Sequence, residues 1–461
     1  MSAYGAAVVV DRAPGSRDVA PVDPGDLAIV QRVLAPLEET PRFWLVLFAI
    51  CALGTALGLF AVGYTLWLGI GAWGNNIPVA WAFDIVNFVW WIGIGHAGTF
   101  ISAFLLLLNQ PWRAAFNRMA EAMTLFAVAI AGAFPLLHLG RPWFFYWLMP
   151  YPATMGVWPN FKSALPWDAA AVGTYFLVSV MFFYLGLIPD LATSRDRLTG
   201  RTRRRVYGVF ALGWSGTSSQ WRRHRAALKI IAGIAAALVV SVHSIVSFDF
   251  AIAQLSGWHS TILPPYFVLG AIYSGFAMVL ALAIPVRGWY GMQTIITIDH
   301  LERLAKLLLT VCLLLTYCYT AEFSTAAYSN DPLEHATYFA HWPAGPFGWL
   351  FWTMLVLNVV VPQVLWFRRY RRNLNVLAGV AIGVLVGMWL ERFIIIVSSL
   401  AQGALPSTWH GFVPTWVDWG ILVGSLSFFG LCFLLFLRFV PAASMGELRR
   451  HRIEKIYDGW P

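Results

Sequence analysis

The sequence predicts an all-α integral membrane protein with about ten transmembrane helices. Of its 461 residues, 59% are apolar and only 11% are charged, whereas soluble domains carry about 25% charged residues. Apolar runs of about 20 residues, long enough to cross roughly 30 Å of hydrocarbon, recur along the chain. The runs are continuous rather than alternating, so helices are favoured over a β-barrel.

Ten spans are predicted, separated by connectors rich either in Arg or in Pro, Gly and Trp. They lie approximately at 43–72, 79–108, 119–140, 168–190, 226–250, 262–287, 303–322, 347–367, 374–400 and 416–440.

These spans form a predicted transmembrane domain over 43–440, between an N-terminal tail (1–42) that is partly extended and a C-terminal tail (441–461). Spans two to five (79–250) and six to nine (262–400) are predicted to form two four-helix bundles, because the third and seventh spans begin with similar residues. The first and tenth spans contain little besides Leu, Phe, Ala, Val and Gly, and are predicted to be peripheral, lipid-facing helices.

The positive charge is concentrated in alternate connectors. A net charge of +9 does not indicate nucleic acid here, because the basic residues gather at a few connectors and the C-terminal segment. By the positive-inside rule, both termini lie in the cytoplasm. Residues 1–42 have no apolar core near Met1 and no cleavage pattern, so no signal peptide is predicted. The basic segments are Arg201–Arg205, Arg222–Arg225, Arg368–Arg372 and Arg449–Lys455.

We expect no metal ligands, iron–sulfur cluster or haem on this chain. The four cysteines fall inside spans without CxxC spacing and are expected to be packing residues. A two-haem bundle needs matched histidine pairs, and His96 is expected to have no partner at its depth. The cysteines are Cys51, Cys312, Cys318 and Cys432.

Five polar residues from four spans are predicted to meet near the outer face. Ionisable groups at membrane depth are costly unless paired or hydrated, so each is a candidate functional residue. The direction of each span puts these five at one height, and we predict that they form one site. The residues are Asp84, His138, Arg141, Asp168 and Asp249.

Structural explanations compete with function at several of these positions. Asp168 follows Pro166 at a helix start, where a carboxylate is stabilised without having a function. Arg141, before Pro142, is explained equally by snorkelling to the interface. Asp249 lies near a helix carboxyl end, where a carboxylate is disfavoured, so another group should hold it.

A second set of polar residues runs inward and suggests a proton path. Glu121 and His96 lie toward the cytoplasm, and His243, Ser244 and Ser247 lead toward Asp249. Each can instead be satisfied by one neighbour across a helix interface. For His96 the Gly-rich surroundings favour close helix packing over a proton relay.

Two motifs resemble a known family. Trp81–Phe104, with Asp84 and the Trp-Trp-Ile-Gly-Ile-Gly-His-Ala-Gly-Thr run, and Pro135–Pro142, with His138 and Arg141, are similar to the polysulfide-reductase-type membrane subunits of the NrfD family. The similarity covers approximately 43–440 and is greatest to the branch formed by the C subunits of alternative complex III.

This resemblance implies a subunit of a quinol oxidoreductase in the bacterial inner membrane, inactive alone. It implies quinol as substrate, with menaquinol favoured over ubiquinol, and His138, Asp168 and Asp249 as catalytic groups in a pocket completed by Asp84 and Arg141. The implied partners are an extracytoplasmic iron–sulfur subunit, haem c subunits and a second NrfD-like membrane subunit. Proton translocation is a further implication.

Three alternatives stay open. The sister F subunit shares the fold but is expected to lack a competent quinol site. A secondary transporter would have its site near mid-membrane at broken helices. A structural anchor would need His138 and Asp249 only for assembly.

Overall fold

The structure is a computed structural model that describes residues 24–148 and 163–458, and its elements there are helices and turns. We number the helical segments of ten or more residues. They are α1 (Pro24–Glu38), α2 (Arg42–Leu68), α3 (Phe83–Leu107), α4 (Asn117–His138), α5 (Ala164–Arg197), α6 (Arg201–Phe210), α7 (Ser218–Ala251), α8 (Leu263–Trp289), α9 (Ile298–Ser329), α10 (Gly348–Trp366), α11 (Leu374–Ala401), α12 (Trp416–Phe439) and α13 (Met445–Asp458).

Shorter helical turns fill several connectors and interrupt two helices. The 3₁₀ turns are Ile70–Ala72, Pro111–Ala115, Pro142–Leu148 and Pro406–Thr408, and the short α-helices are Pro332–Ala336, Trp342–Ala344 and Arg368–Arg371. A π-turn lies at Thr337–His341 in a connector. Two others, Val356–Val360 in α10 and Ile394–Ser398 in α11, lie within membrane helices.

The prediction of an all-α membrane protein with ten spans is confirmed. Ten of the helices in the described residues are long and apolar enough to cross a membrane, and they are α2–α5 and α7–α12. Several are longer than predicted: α5 continues to Arg197 and α7 already begins at Ser218. A span that is predicted from hydropathy ends where charged residues begin. The helical hydrogen bonding continues past that point.

Threonine caps explain where three of the long helices begin. Thr217, Thr297 and Thr415 each form a reciprocal capping box at the start of α7, α9 and α12. These side chains satisfy backbone N–H groups that have no partner inside the helix, which is a requirement at a membrane boundary.

Part of the predicted N-terminal tail is helical. Residues 24–38 form α1, and residues 1–23 lie outside the described part of the chain. Val33 and Leu37 of α1 are buried, and the Arg438 guanidinium donates to the Leu37 carbonyl oxygen. Asp26 of α1 accepts from Arg449 Nε of α13 at 3.0 Å. Both terminal segments are therefore folded against the same end of the bundle.

Successive spans alternate in direction, so the Arg-rich segments meet at one end, which we call the basic end. It contains α1, α6, α13 and the Arg368–Arg371 helix, and the ion pairs Arg113–Glu447 (2.5 Å) and Arg372–Asp299 (2.6 Å) lie there. The other, which we call the site end, contains the carboxyl end of α4 and the amino ends of α3 and α5. The positive-inside rule predicts that the basic end is cytoplasmic.

The centre of the molecule is α3. Its neighbours are α4, α7 and α8, and 83% of the residues in its most apolar 18-residue stretch are buried. The close approach to α4 requires glycine, since a Cβ at Gly98 would stand 2.2 Å from the Ala120 carbonyl oxygen. The Gly-rich run around His96 thus serves helix packing, as small residues do in membrane bundles.

The first and tenth spans pack against each other at the edge of the molecule. Only 17% of the residues in the most apolar 18-residue stretch of α2 are buried, which agrees with the predicted lipid-facing position. α2 and α12 touch backbone to backbone, since a Cβ at Gly58 would lie 2.5 Å from Gly424 Cα. The division of the other eight spans into two four-helix bundles stays a prediction.

We predict that Gly58→Val separates α2 from α12 and lowers the thermal midpoint of the detergent-purified protein. Overpacking a close contact costs about 1–3 kcal/mol. Gly63→Val on the same helix is the matched control, because a Cβ there has nothing within 4 Å. Equal midpoints for the two variants would contradict the Gly58–Gly424 contact.

Candidate functional site

A cavity of about 530 Å³ opens between α3, α4, α5 and α7 at the site end of the bundle. Its lining is mostly apolar, with three ionisable side chains among it: His138, Asp168 and Asp249. A volume of this size, with few polar groups, is typical of a site for a small organic ligand.

Helical periodicity brings the lining residues to one face of each helix. On α4 and α5 the lining positions recur every three or four residues, so each helix presents a single stripe to the cavity. The α4 stripe is Val128, Ala129, Gly132, Pro135, Leu136 and Leu139, and the α5 stripe is Leu165, Asp168, Ala169, Val172, Gly173 and Phe176. Small residues in both stripes leave the space: a Cβ at Gly132 or at Gly173 would have nothing within 4 Å.

His138 is oriented by Asp84. The Nδ1 atom of His138, the last residue of α4, is hydrogen-bonded to Asp84 Oδ2 on α3. A carboxylate only accepts, so Nδ1 carries the hydrogen, and in the neutral ring Nε2 is an acceptor. Asp84 is itself held, because Oδ1 accepts from the Ala82 backbone N–H at 2.9 Å. Asp84 does not line the cavity, so it acts there only through His138.

Asp168 and Asp249 are bonded to each other across the cavity wall. Their carboxyl groups lie within hydrogen-bonding reach of each other, between α5 and α7. Two carboxyl groups can bond directly only when one carries a proton. The Oδ1 atom of each is buried, and no other group in the described residues is hydrogen-bonded to it.

Asp168 does not lie in the first turn of its helix, where its position alone would stabilise a carboxylate. α5 begins at Ala164, and its cap is Ser163, whose hydroxyl accepts from the Leu165 backbone N–H at 3.4 Å. Asp168 is therefore one turn inside the helix and faces Asp249 instead of the first amides.

Arg141 is not brought into the cavity. Its side chain is exposed and belongs to the turn after α4, between Gly140 in the left-handed region (φ 68°) and the 3₁₀ turn that begins at Pro142. The structure thus brings three of the five predicted residues to the cavity wall, with Asp84 behind one of them and Arg141 outside. Whether these residues bind a ligand stays a prediction.

The expectation that His96 has no partner at its depth is wrong. The His96 ring lies 4.9 Å from that of His243 and 4.4 Å from the ring of Tyr175, on which it stacks. Both histidines are fully buried, and His96 Nε2 and both ring nitrogens of His243 have no hydrogen-bond partner in the described residues. The two rings pack against each other, which leaves no space for a porphyrin between them. The expectation of no haem on this chain stays a prediction.

The other predicted path residues have local partners. Glu121 accepts from Ser102 and is paired with Arg118 at 2.8 Å. Ser244 donates to the Val240 carbonyl oxygen at 2.8 Å, and Ser247 donates to that of Ser244 at 2.6 Å. The two serines therefore bond to their own helix.

A buried polar cluster in the second half of the chain was missed by the sequence analysis. Glu391 of α11 accepts from the Tyr319 hydroxyl and pairs with Arg392 at 2.9 Å, while Arg392 lies 4.0 Å over the ring of Phe267. The sequence could have indicated this cluster, because Glu391 and Arg392 are adjacent ionisable residues inside an apolar span.

The aromatic wall of the cavity was not predicted from the sequence. Trp81 stacks on Trp258 at 5.6 Å and meets His138 edge-on at 6.4 Å, and Phe88 and Phe176 line the deeper part. Ala169, Val172, Gly173 and Phe176 share a face with Asp168 at helical spacing. This spacing is the feature of the sequence that could have indicated the cavity wall.

No group of three or more His, Cys, Asp or Glu side chains able to hold a metal ion occurs within residues 24–148 and 163–458.

These features define a multi-pass helical membrane protein with an apolar, carboxyl-bearing cavity at one end of its bundle. The sequence profile of the family described as "Polysulphide reductase, NrfD" matches residues 72–404. The chain belongs to this family.

Three curated relatives share part of the sequence. A membrane subunit of a putative dimethyl sulfoxide reductase from Halobacterium salinarum is 26% identical over 55% of this chain and 53% of its own length. A selenate reductase subunit from Mesobacillus selenatarsenatis is 24% identical over 78% of this chain and 86% of the relative. An Hdr-like menaquinol oxidoreductase integral membrane subunit from Archaeoglobus fulgidus is 21% identical over 84% of this chain and 91% of the relative. The chain thus spans about half the length of the first of these and most of the other two.

We predict that Asp84 and His138 stabilise the protein as a coupled pair. Removing His138 leaves the buried Asp84 carboxylate without this partner, which costs about 1–3 kcal/mol, and removing Asp84 leaves the half-buried His138 ring without it. The losses in thermal midpoint for Asp84→Ala and His138→Ala should therefore not add in the double variant. Asp84→Ala combined with Ser241→Ala, an exposed site on α7, is the additive control. Additive losses for both pairs would contradict the coupling.

Proposed function

We propose that this chain binds and oxidises quinol as the membrane subunit of an electron-transfer complex. The observation that carries the proposal is the placement of His138 and the Asp168–Asp249 pair on the wall of one apolar cavity. Oxidising a quinol removes two hydroxyl protons while two electrons leave. A site for this reaction needs a proton acceptor near each oxygen and an apolar slot for the ring.

The roles follow from the hydrogen bonds. His138, held by Asp84 with Nε2 as acceptor, takes the proton of one hydroxyl group. Asp249 and Asp168 share a proton in the resting site and accept from the second hydroxyl after passing that proton on. Trp81, Phe88 and Phe176 flank the ring.

The cavity rim supplies a route for an isoprenoid tail. Leu136 and Leu139 of α4 and Leu165 of α5 line the cavity, and each is more than a third exposed. The cavity thus opens sideways between α4 and α5 where lipid would lie. A quinol can enter from the bilayer with its head group directed to the polar end.

We propose menaquinol as the substrate, in preference to ubiquinol. The relative from Archaeoglobus fulgidus is named as a menaquinol oxidoreductase subunit, and it aligns over 84% of this chain. The relative's name supports a quinol as the class of substrate. The choice of menaquinol over ubiquinol rests on this likeness alone.

The electrons would pass to a partner at the site end, which we propose to be extracytoplasmic. We propose an iron–sulfur subunit there, with haem c subunits and a second NrfD-like membrane subunit in the same complex, as in alternative complex III in the bacterial inner membrane. The aromatic connector 141–167 lies beside the cavity at Phe145 and Leu165, and its residues 149–162 lie outside the described chain. Within that complex, the presence of both the histidine and the carboxyl pair favours the C subunit over its sister F subunit.

The transporter alternative fits the helices less well. A transporter site is expected near mid-membrane where helices are broken. The interrupted helices here are α10 and α11, whereas the cavity is lined by α3, α4, α5 and α7, which are continuous α-helices.

We predict that His138→Ala and Gly173→Leu each impair quinol oxidation by the purified complex through different steps. Loss of the base should lower turnover at saturating quinol by about 100-fold or more. A leucine at Gly173 should fill the cavity and raise the KM, since a Cβ there has free space.

His335→Ala in an exposed connector and Gly233→Leu on α7, where a Cβ also has nothing within 4 Å, are the controls. Wild-type turnover in both test variants, with the complex intact, would rule out this cavity as the quinol site. Loss of assembly in His138→Ala alone would favour the structural-anchor alternative.

We further propose that protons move between this site and the basic end through the first half of the chain. His243 lies six residues inward of Asp249 on α7, ~9 Å along the helix, and its ring contacts His96. His96 stacks on Tyr175, whose hydroxyl lies in a group formed with Thr99, Thr124 and Ser179.

The lower part of this route ends at a buried ion-pair group. Ser102, one turn along α3 from Thr99, donates to Glu121, and Arg118 joins Glu121 to Asp190 at 2.8 and 3.1 Å. Polar side chains thus follow one another from the cavity to the basic end. Ser244 and Ser247 bond to their own helix and would contribute only by changing rotamer.

We predict that the double variant Glu121→Gln, His96→Ala lowers the proton-to-electron ratio in reconstituted vesicles while quinol oxidation continues. Glutamine keeps the shape of Glu121 but cannot carry an acidic proton. Glu302→Gln is the control, because Glu302 pairs with Arg372 at 2.7 Å outside the proposed route. An unchanged ratio with unchanged quinol oxidation would show that protons do not pass through these residues.

A further inference from the structure

A second large cavity lies at the basic end, far from the proposed quinol site. It has a volume of about 930 Å³ and lies between the end of α3, the turn after it, α5, the start of α7 and α13. These elements end or begin here at the level where the apolar spans give way to Arg-rich segments. The cavity therefore lies at the predicted boundary between hydrocarbon and cytoplasm.

One wall of this cavity is a row of cations on α7. Arg222, Arg225 and Lys229 follow one another at spacings of three and four residues, so they share one helix face. All three side chains are exposed, and none forms an ion pair within the described residues. Lys229 donates to the Asn109 side-chain oxygen at 3.3 Å across the cavity mouth.

The opposite wall carries further positive charge that is already neutralised. Arg113 is paired with Glu447 at 2.5 Å, and Arg449 is paired with Asp26 at 3.0 Å. Glu447 and Asp26, the acidic side chains near these arginines, are thus already in ion pairs. The row on α7 is left with its positive charge uncompensated.

The floor of the cavity is apolar and continues along the membrane. Leu106 of α3 and Leu228 of α7 line it, and Leu228 packs with Phe182 and Ala232 in a small apolar cluster between α3, α5 and α7. The neighbouring Leu107 and Leu108 are exposed where α3 ends. A cationic wall above an exposed apolar surface matches a molecule with an anionic head and hydrocarbon chains.

We propose that this cavity binds the head group of an anionic phospholipid, with its phosphate on the Arg222–Arg225–Lys229 row and its acyl chains along α3 and α7. Basic pockets between membrane helices on the cytoplasmic side suit such head groups. A soluble phosphate would use the same cations but gain nothing from the apolar floor. This site is separate from the proposed quinol cavity and does not depend on it.

The test uses the full-length chain in its purified complex, stripped of lipid with detergent. Native mass spectrometry would measure the binding of didecanoyl phosphatidylglycerol, didecanoyl phosphatidylcholine and inorganic phosphate. We expect the anionic lipid to bind in preference to the other two. Each cation beside an anionic lipid contributes roughly fivefold to affinity, so the triple variant Arg222→Gln, Arg225→Gln, Lys229→Gln should bind it about 100-fold more weakly.

The matched control removes three positive charges from α6 at the same end: Arg201→Gln, Arg204→Gln, Arg205→Gln. These side chains are exposed and do not line the cavity. A fourth variant, Ala226→Trp, keeps every charge but should obstruct the cavity and also weaken lipid binding.

Several outcomes would overturn the proposal. Equal weakening in the α6 control would assign the effect to overall charge, and equal binding of phosphatidylcholine would remove charge recognition. Phosphate binding as tight as that of the lipid would make this a soluble-anion site. If the triple variant does not assemble, unchanged lipid binding by Ala226→Trp would still contradict the proposal.

Discussion

An ionisable side chain inside an apolar bundle must find a partner, and this requirement organises the polar structure of the protein. Several buried charges are satisfied across helix interfaces: Asp84 by His138, Glu121 by Ser102, Asp190 by Arg118, and Glu391 by Tyr319. Each such contact joins two spans, so it fixes their depth and rotation relative to each other. Asp168 and Asp249 differ, because their carboxyl groups contact each other and no other group in the described residues is hydrogen-bonded to the buried Oδ1 of either. They also border a cavity, where a ligand can reach them.

The two ends of the bundle carry opposite kinds of cavity. At the site end the space is apolar and contains a histidine and two carboxyl groups, which suits a neutral ring that loses protons. At the basic end the space is cationic above an apolar floor, which suits an anion with acyl chains. Between them runs α3, whose glycines let α4 approach closely and whose His96 contacts both Tyr175 and His243. Proton transfer between the ends would therefore pass along α3, which has the largest buried share among the ten spans of the described residues.

The sequence predicted the features that depend on hydropathy and on depth along a helix. Ten spans, the lipid-facing first span and the common level of His138, Asp168 and Asp249 all follow from counting residues along apolar runs. The residue at which α4 ends and the depth of α3 relative to α7 were not predictable in this way, so Arg141 was expected in the pocket and His96 was expected to be alone. The α1 helix was missed because residues 24–38 gain their stability from packing on distant segments such as Arg438 and Arg449. Glu391 and Tyr319 are far apart in sequence, and only the folded bundle brings them together.

The central claim is that quinol binds between α3, α4, α5 and α7. The most direct measurement is photoaffinity labelling of the purified complex with an azido-naphthoquinol, followed by peptide mapping with and without excess unlabelled menaquinol. The account predicts protectable labels on Gly132–Leu139 of α4 and Asp168–Phe176 of α5. Protectable labels confined to α8–α11, with none on α4 or α5, would contradict it.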